Sequence, residues 1–180
     1  MHQVKIHDKY FRLFIPYDKI LSTVEKMAEN MNRDLADKNP LFIGILNGSF
    51  IFAAELFRQI TILNSEITFV KLASYSSDRS TGDIKEIIGL NENIKGRNVV
   101  VLEDIVDSGL TIDHLTAQLN TMKPDRIFIA TLLLKPGALK REVRLDYVGL
   151  EIPDDFIVGY GLDYDGYGRN LKNIYSIVNE

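Results

Sequence analysis

Ile20, Val24, Met27, Ala28, Met31 and Leu35 recur at the spacing of one helix face. They predict a helix from about Asp18 to Ala36, with Asp18 as its cap. Asn39-Pro40 ends it. The apolar run Leu41 to Leu46, the short Asn47-Gly48-Ser49 and the apolar stretch Phe50 to Phe57 follow. They predict strand, tight loop and helix. Ile67 to Leu72 predicts a second strand. Ser74 to Asp83 is polar, long and contains glycine, the character of a mobile loop that covers a site. The valine-rich run Val99 to Leu102 suits a strand buried on both faces of a parallel sheet. Ile112, Leu115, Leu119 and Met122 form another helical stripe, and Ile127 to Leu134 another buried strand. Three short apolar runs close the chain, at Tyr147 to Ile152, Phe156 to Tyr160 and Ile174 to Val178.

Strands alternating with helical patterns predict an α/β fold with a twisted, mainly parallel sheet and helices on both faces. Such sheets bind ligands beyond the carboxyl ends of their strands. That rule selects 47–49, 103–111 and the segment after Leu134. The length of 180 residues fits a single domain, 1–180. There is no internal repeat and no low-complexity tract. A net charge of -4 argues against a nucleic-acid partner, which calls for a basic face. The chain has no cysteine, so disulfides and thiolate metal sites are excluded. The N-terminal stretch lacks the apolar core of a secretory signal. No apolar run approaches the roughly 20 residues of a membrane span. A cytoplasmic protein with no membrane partner is expected.

The segment 103–111 carries the chemistry. Gly109 permits close backbone approach and unusual dihedrals. Ser108 and Thr111 offer hydroxyls, and the following helix aims its amides at the same spot, which suits a monoester phosphate. No lysine follows the glycine, so this is not a nucleoside-triphosphate loop. Glu103 and Asp104 would repel a phosphate unless they serve another group. Ribose hydroxyls and a magnesium ion, held through water, are the two candidates. Two acids, a third at Asp107, hydroxyls and a glycine together describe a cradle for ribose 5-phosphate.

The stretch VVVLEDIVDSGLT, Val99 to Thr111, resembles the phosphoribosyl-pyrophosphate motif of type I phosphoribosyltransferases. LNGSF, SYSSDRSTGD, LLLKPGA and IPDDFIVGYGLDYDGYGRNL resemble, in order, segments of the hypoxanthine-guanine phosphoribosyltransferases. The resemblance implies the type I fold. A small hood would be built from N-terminal residues and part of the segment after about 135. It implies transfer of the 5-phosphoribosyl group from phosphoribosyl pyrophosphate to N9 of hypoxanthine or guanine, giving IMP or GMP, with Mg2+ as cofactor. It also implies a homodimer or homotetramer.

By the same resemblance, Glu103 and Asp104 bind the ribose hydroxyls, and Asp107 is the catalytic general base or proton relay near purine N7. Ser108, Gly109 and Thr111, with the amides of 107–111 including Leu110, take the 5-phosphate. Leu46, Asn47 and Gly48 form the pyrophosphate loop, where the family often has a non-proline cis peptide. Many members carry lysine where this chain has Asn47, so a side-chain cation is absent there. Ser74 and Tyr75 open the loop that closes over the reacting centre and excludes water. Lys135 donates to the exocyclic oxygen of a 6-oxopurine and rejects adenine. Phe156 is the stacking face for the base, and Ile157 supplies a backbone group at its edge. Asp163 is the direct magnesium ligand, assisted by Glu103 and Asp104, and lies in the purine-binding segment. Arg169 clamps the pyrophosphate. His2, His7 and His114 lack metal-ligand spacing. Tyr160, Tyr164 and Tyr167 are expected to pack the hood. Two alternatives share the fold: a xanthine-preferring transferase, and a nucleotide-sensing RNA-binding regulator, which would need a basic surface.

Overall fold

The computed structural model describes residues 3–75 and 84–178, with backbone alone at 73–75 and 84–88. In chain order the elements are β1 Gln3–Ile6, β2 Lys9–Ile15, α1 Tyr17–Asp34, β3 Leu41–Leu46, α2 Phe50–Phe57, β4 Glu66–Tyr75 and β5 Ile84–Ile88. Then come β6 Asn98–Val106, α3 Leu110–Thr121, β7 Arg126–Leu134, a short 3-10 turn Pro136–Ala138, β8 Tyr147–Glu151, β9 Ile157–Val158 and β10 Ile174–Ile177.

Six strands form one sheet in the order β5-β4-β3-β6-β7-β8. β4, β3, β6, β7 and β8 pair in parallel, and β5 runs antiparallel at the edge. β3 and β6 sit in the middle, which explains their unbroken apolar runs: side chains on both faces are buried. Phe42, Val100 and Leu102 face the helices α1 and α2 together with Met27, Met31 and Phe52. Leu41, Ile43, Val99 and Val101 face α3 with Ile112, Leu115 and Leu119. Helices therefore cover both faces. A second sheet, in the order β1-β2-β10-β9, joins the two ends of the chain by antiparallel pairing. The apolar run Tyr147 to Ile152 does not enter it: β8 pairs with β7 at the edge of the main sheet.

Two boundaries differ from the sequence pattern for physical reasons. α1 starts at Tyr17 behind extended Pro16, and Asp18 lies in its first turn rather than capping it. Proline suits that junction because an N-terminal helix position needs no amide donor. More important, β6 continues through Glu103 and Asp104 to Val106, so the loop proper is only 107–109. Glu103 pairs with Thr131 and Val106 with Leu134. The apolar run stops at Leu102, but the ladder continues because backbone pairing, not side-chain polarity, sets strand length.

Candidate active site

The parallel topology brings the carboxyl ends of β3, β6 and β7 to one side of the sheet. Two adjacent acids stand at the end of β6 and share a side-chain hydrogen bond. Glu103 turns toward α3. It lines a recess of about 70 Å³ with Asp107, Ser108, Gly109, Thr111 and Ile112. The Asp104 carboxylate lies against the loop after β3. A Cβ placed on Gly48 would overlap the Asp104 carboxylate. Both acids are buried.

The recess lies at the N-terminal end of α3. Gly109 has φ +78° and precedes α3, a conformation that favours glycine. Its carbonyl accepts the first helical bond from Asp113 N–H at 3.0 Å. The amides at the start of α3 have no partner inside the helix, and residues 109, 111 and 112 of that helix end line the recess. Ser108 is fixed through its carbonyl, which accepts from Lys140 N–H and Arg141 N–H at 3.0 and 3.3 Å. Leu110 contributes backbone; its amide reaches Ser108 Oγ at 3.4 Å while its side chain is exposed.

Lys135 follows β7, and its amide donates to Val106 O at 2.9 Å. That bond sets it beside the end of β6. Its Nζ lies 3.2 Å from Asp107 Oδ2 and 3.5 Å from Asp154 Oδ1. The lysine side chain is 8% exposed and the Asp107 side chain 53%. A buried cation thus holds a carboxylate that faces solvent. Asp154, between β8 and β9, was not singled out from the sequence, although it lies in the IPDDFIVGYG segment, because its contact with Lys135 is made only by the fold.

The Leu46–Asn47 peptide is cis. Ser49, after this loop, donates its hydroxyl to Ile45 O at 2.7 Å and does not cap α2 through its side chain. Gly161 lies over the loop. It has φ +100°, and a Cβ there would overlap Gly48 O. Arg169 donates from Nη1 to Gly161 O at 2.7 Å and pairs through Nη2 with Asp163 Oδ1 at 2.6 Å. Asp163 Oδ2 accepts from Gly166 N–H at 2.7 Å. Arg169 and Asp163 are therefore partners of one another, beside Gly48 and within electrostatic reach of Asp104.

Phe156 is 44% exposed. Its ring packs near Phe11 and edge-on to Tyr164, with Lys9 Nζ 6.0 Å from its centroid. Phe156 O accepts from Ile177 N–H at 2.9 Å. Backbone alternation then turns the N–H and C=O of Ile157 toward the open edge of β9. Tyr164 packs in the hood with its hydroxyl on Asp8, and His7 meets Tyr164 and Tyr167 edge-on. Tyr160 is buried but does more than pack: its hydroxyl donates to Glu55. Ser74 and Tyr75 close β4, and the rest of the sequence-predicted loop, 76–83, lies outside the described residues.

Burial pushes the Asp104 carboxyl above its ordinary value, outweighing the hydrogen bonds with Glu103 and from Ile105 N–H and the nearby Arg169. The folded state therefore disfavours the ionised form. This acid costs no stability below the unfolded carboxyl pKa of about 3.9, and its penalty grows as pH rises from there to the raised folded value and is constant above it. Asp104→Asn preserves the acceptor for Ile105 N–H. It is expected to raise Tm at pH 7 by about 2–4 °C, on the scale of one lost kcal/mol of penalty. Melting curves from pH 3.5 to 8 should show the gap opening as pH rises. A variant that melts below the parent at pH 7 contradicts this account of Asp104.

Three comparisons with known proteins point to one family. A family model described as phosphoribosyl transferase domain matches residues 16–165. The chain is 39% identical over 165 residues to the hypoxanthine-guanine phosphoribosyltransferase of Bacillus subtilis (strain 168), covering 91% of each. The crystal structure of a hypoxanthine-guanine phosphoribosyltransferase from Bacillus anthracis superposes with a TM-score of 0.82 at 38% identity, covering 92% of this chain and 96% of that one. That of a hypoxanthine phosphoribosyltransferase from Staphylococcus aureus gives a TM-score of 0.85 at 32% identity, covering 93% and 91%.

Proposed function

The chain belongs to the phosphoribosyl transferase domain family, and on that premise we propose that it is a purine-salvage transferase. It moves the 5-phosphoribosyl group from phosphoribosyl pyrophosphate to N9 of hypoxanthine or guanine, giving IMP or GMP and pyrophosphate. The observation that carries this reading is the Lys135–Asp107 pair at the ends of β7 and β6, beside the small anion recess. On this reading the lysine is the donor for a 6-oxo group, the aspartate the proton acceptor and the recess the phosphate cradle.

The 5-phosphate sits in the recess, on the amides of 107–111 and the hydroxyls of Ser108 and Thr111. The ribose hydroxyls lie against Glu103 and Asp104. The purine stacks on Phe156, with its edge at the backbone of Ile157 and its exocyclic oxygen on Lys135. As N9 bonds to the ribose C1 and pyrophosphate departs, positive charge builds on the ring, as in glycoside cleavage. Asp107 accepts the proton the base gives up. Pyrophosphate leaves against the loop Leu46–Asn47–Gly48 and the guanidinium of Arg169. Ser74 and Tyr75 close β4 and lead into 76–83, which lie outside the described residues.

The acids fit magnesium. Glu103 and Asp104 are two buried carboxylates at one strand end, and Asp163 is a third beside Arg169. Among the described residues no three acids or histidines converge on one point. Magnesium takes one or two protein carboxylates and completes its shell with water and phosphate oxygens. When bound, the ion neutralises charge on the leaving pyrophosphate. The proposal also carries a cytoplasmic homodimer or homotetramer acting on small molecules and not on nucleic acid. The net charge of -4 supports the last point, and among the described residues no helix is long and apolar enough to cross a membrane.

The direct test mixes the protein with phosphoribosyl pyrophosphate, magnesium and hypoxanthine or guanine. Pyrophosphate and nucleotide are expected in equal amounts; neither appearing overturns the proposal. Lys135→Ala is expected to raise the KM for the base about 10-fold or more, the value of a hydrogen bond to a charged group. The KM for phosphoribosyl pyrophosphate should move far less. An unchanged base KM would remove Lys135 from the base site.

A further inference from the structure

Glu55 has no part in the site described above and stands on α2, which starts just after the Leu46–Gly48 loop. Its two carboxylate oxygens accept from two tyrosines that are far apart in sequence. Tyr17 donates its hydroxyl to Oε1 at 2.8 Å, and Tyr160 donates to Oε2 at 2.6 Å. Tyr17 is the first residue of α1. Its amide donates to Asn173 Oδ1 at 2.9 Å, and Lys172 Nζ stands 4.3 Å from its ring centroid. Tyr160 is 2% exposed and has φ +52°, between Gly159 and Gly161 at +101° and +100°.

The segment 159–161 is held stiffly. Gly159 N–H donates to Leu162 O at 3.0 Å, Tyr160 N–H to Leu171 O at 2.8 Å and Gly161 N–H to Arg169 O at 3.0 Å. Arg169 returns a bond to Gly161 O. The Gly161 backbone then presses on Gly48 O so closely that no Cβ fits between. Two backbones that approach this closely must be kept in register. The ladder bonds fix the segment within the hood, but they do not tie it to α2. Among the described residues, the Glu55 carboxylate supplies that tie through Tyr160. Burial and Glu55 both push the Tyr160 hydroxyl well above the usual phenol range, burial most, so it stays a donor throughout the working pH range.

We infer that Glu55 is a positioning residue for pyrophosphate recognition. Through Tyr160 it sets Gly161 and Arg169 in register with the loop Leu46–Gly48, and through Tyr17 it sets the start of α1 against the same hood segment. The inference rests on the proposed function, which supplies the pyrophosphate group. Small displacements of groups that orient a reacting phosphate are costly, about 10²-fold for 1 Å.

The test uses the intact protein and four variants: Tyr160→Phe, Glu55→Ala, Glu55→Gln and Tyr147→Phe. The last is a matched control. Tyr147 also donates to a carboxylate, Asp34 Oδ2 at 3.4 Å, but it joins β8 to α1 away from the site. Binding of magnesium pyrophosphate and of IMP is measured by calorimetry, with steady-state KM for both substrates. Tyr160→Phe and Glu55→Ala are expected to weaken pyrophosphate binding, and to raise the KM for phosphoribosyl pyrophosphate, about 10-fold or more. IMP, which has no pyrophosphate, and the base KM should change far less. Glu55→Gln keeps one acceptor oxygen and should fall between Glu55→Ala and the parent. Tyr147→Phe should lower Tm without moving either KM. Equal losses for pyrophosphate and IMP, no loss for either, or identical behaviour of Tyr160→Phe and Tyr147→Phe overturns the inference. A parent protein that binds neither ligand overturns the proposed function, and this inference with it.

Discussion

Asp107→Asn lowers kcat for the transfer to hypoxanthine by about 10²–10⁴-fold, the usual range for a lost general base. The amide is nearly the same size, so the loop 107–109 and the recess beside it keep their shape. What changes is the ability to take a proton. Lys135 keeps Asp154 within 3.5 Å when the Asp107 charge is gone, so the buried cation is not left alone. The KM for phosphoribosyl pyrophosphate should therefore stay close to the parent value. Loss in kcat with KM held marks an interaction made in the transition state. Steady-state rates from pH 5 to 9 check it. Full turnover by Asp107→Asn would assign the proton transfer elsewhere.

Gly161→Ala is the second large effect. Two independent costs coincide at this position. A φ of +100° strains any L side chain, and the added Cβ collides with the backbone oxygen of Gly48, which cannot swing aside as a side-chain tip would. The hood segment must lift from the pyrophosphate loop and take Arg169 with it. The expected loss in kcat/KM for phosphoribosyl pyrophosphate is about 10²-fold or more. Gly96→Ala separates strain from collision. Gly96 also has positive φ, at +70°, but its Cβ would meet nothing within 4 Å. It is expected to lower Tm with unchanged kinetics. Equal kinetic losses in both variants would contradict the role given to the Gly161–Gly48 contact.

The interior of the main sheet was readable because its pattern is local. The apolar run Leu41–Leu46 and the stretch Phe50–Phe57 coincide with β3 and α2. Both are bounded by residues that change the backbone's preference, Pro40 before and Asn47-Gly48 between. The N-terminal hairpin was not foreseen. Its strands alternate between exposed Lys5, Arg12 and Leu13 and buried Phe11, and β2 gains its second partner from β10, more than a hundred residues away. Such pairing leaves no mark in a local window. The reach of β6 through Glu103 and Asp104 was misjudged for a related reason: the strand ends at its ligand, so its last residues carry chemistry rather than the pattern of a core.

The site was legible where its residues are contiguous. The recess at 103–112 is a single stretch of chain, and its glycine, hydroxyls and helix start announce themselves. Lys135 was found because it ends a buried strand. Asp154, Glu55 and Tyr17 were not, because each acts through a partner brought close only by the fold. Glu55 and Tyr160 are 105 positions apart, and nothing near either one points to the other. Arg169 was expected to face the pyrophosphate, and the structure adds that Asp163 and Gly161 O hold it beside that loop.

The most direct test of the central claim is kcat/KM for hypoxanthine, guanine, xanthine and adenine, side by side, with phosphoribosyl pyrophosphate and magnesium saturating. A buried lysine donor at the exocyclic position accepts a 6-oxo group and meets the adenine amino group donor to donor. Hypoxanthine and guanine are expected to be used, with adenine disfavoured by about 10⁴-fold. Adenine turned over as well as hypoxanthine, or no nucleotide from any of the four bases, would contradict it.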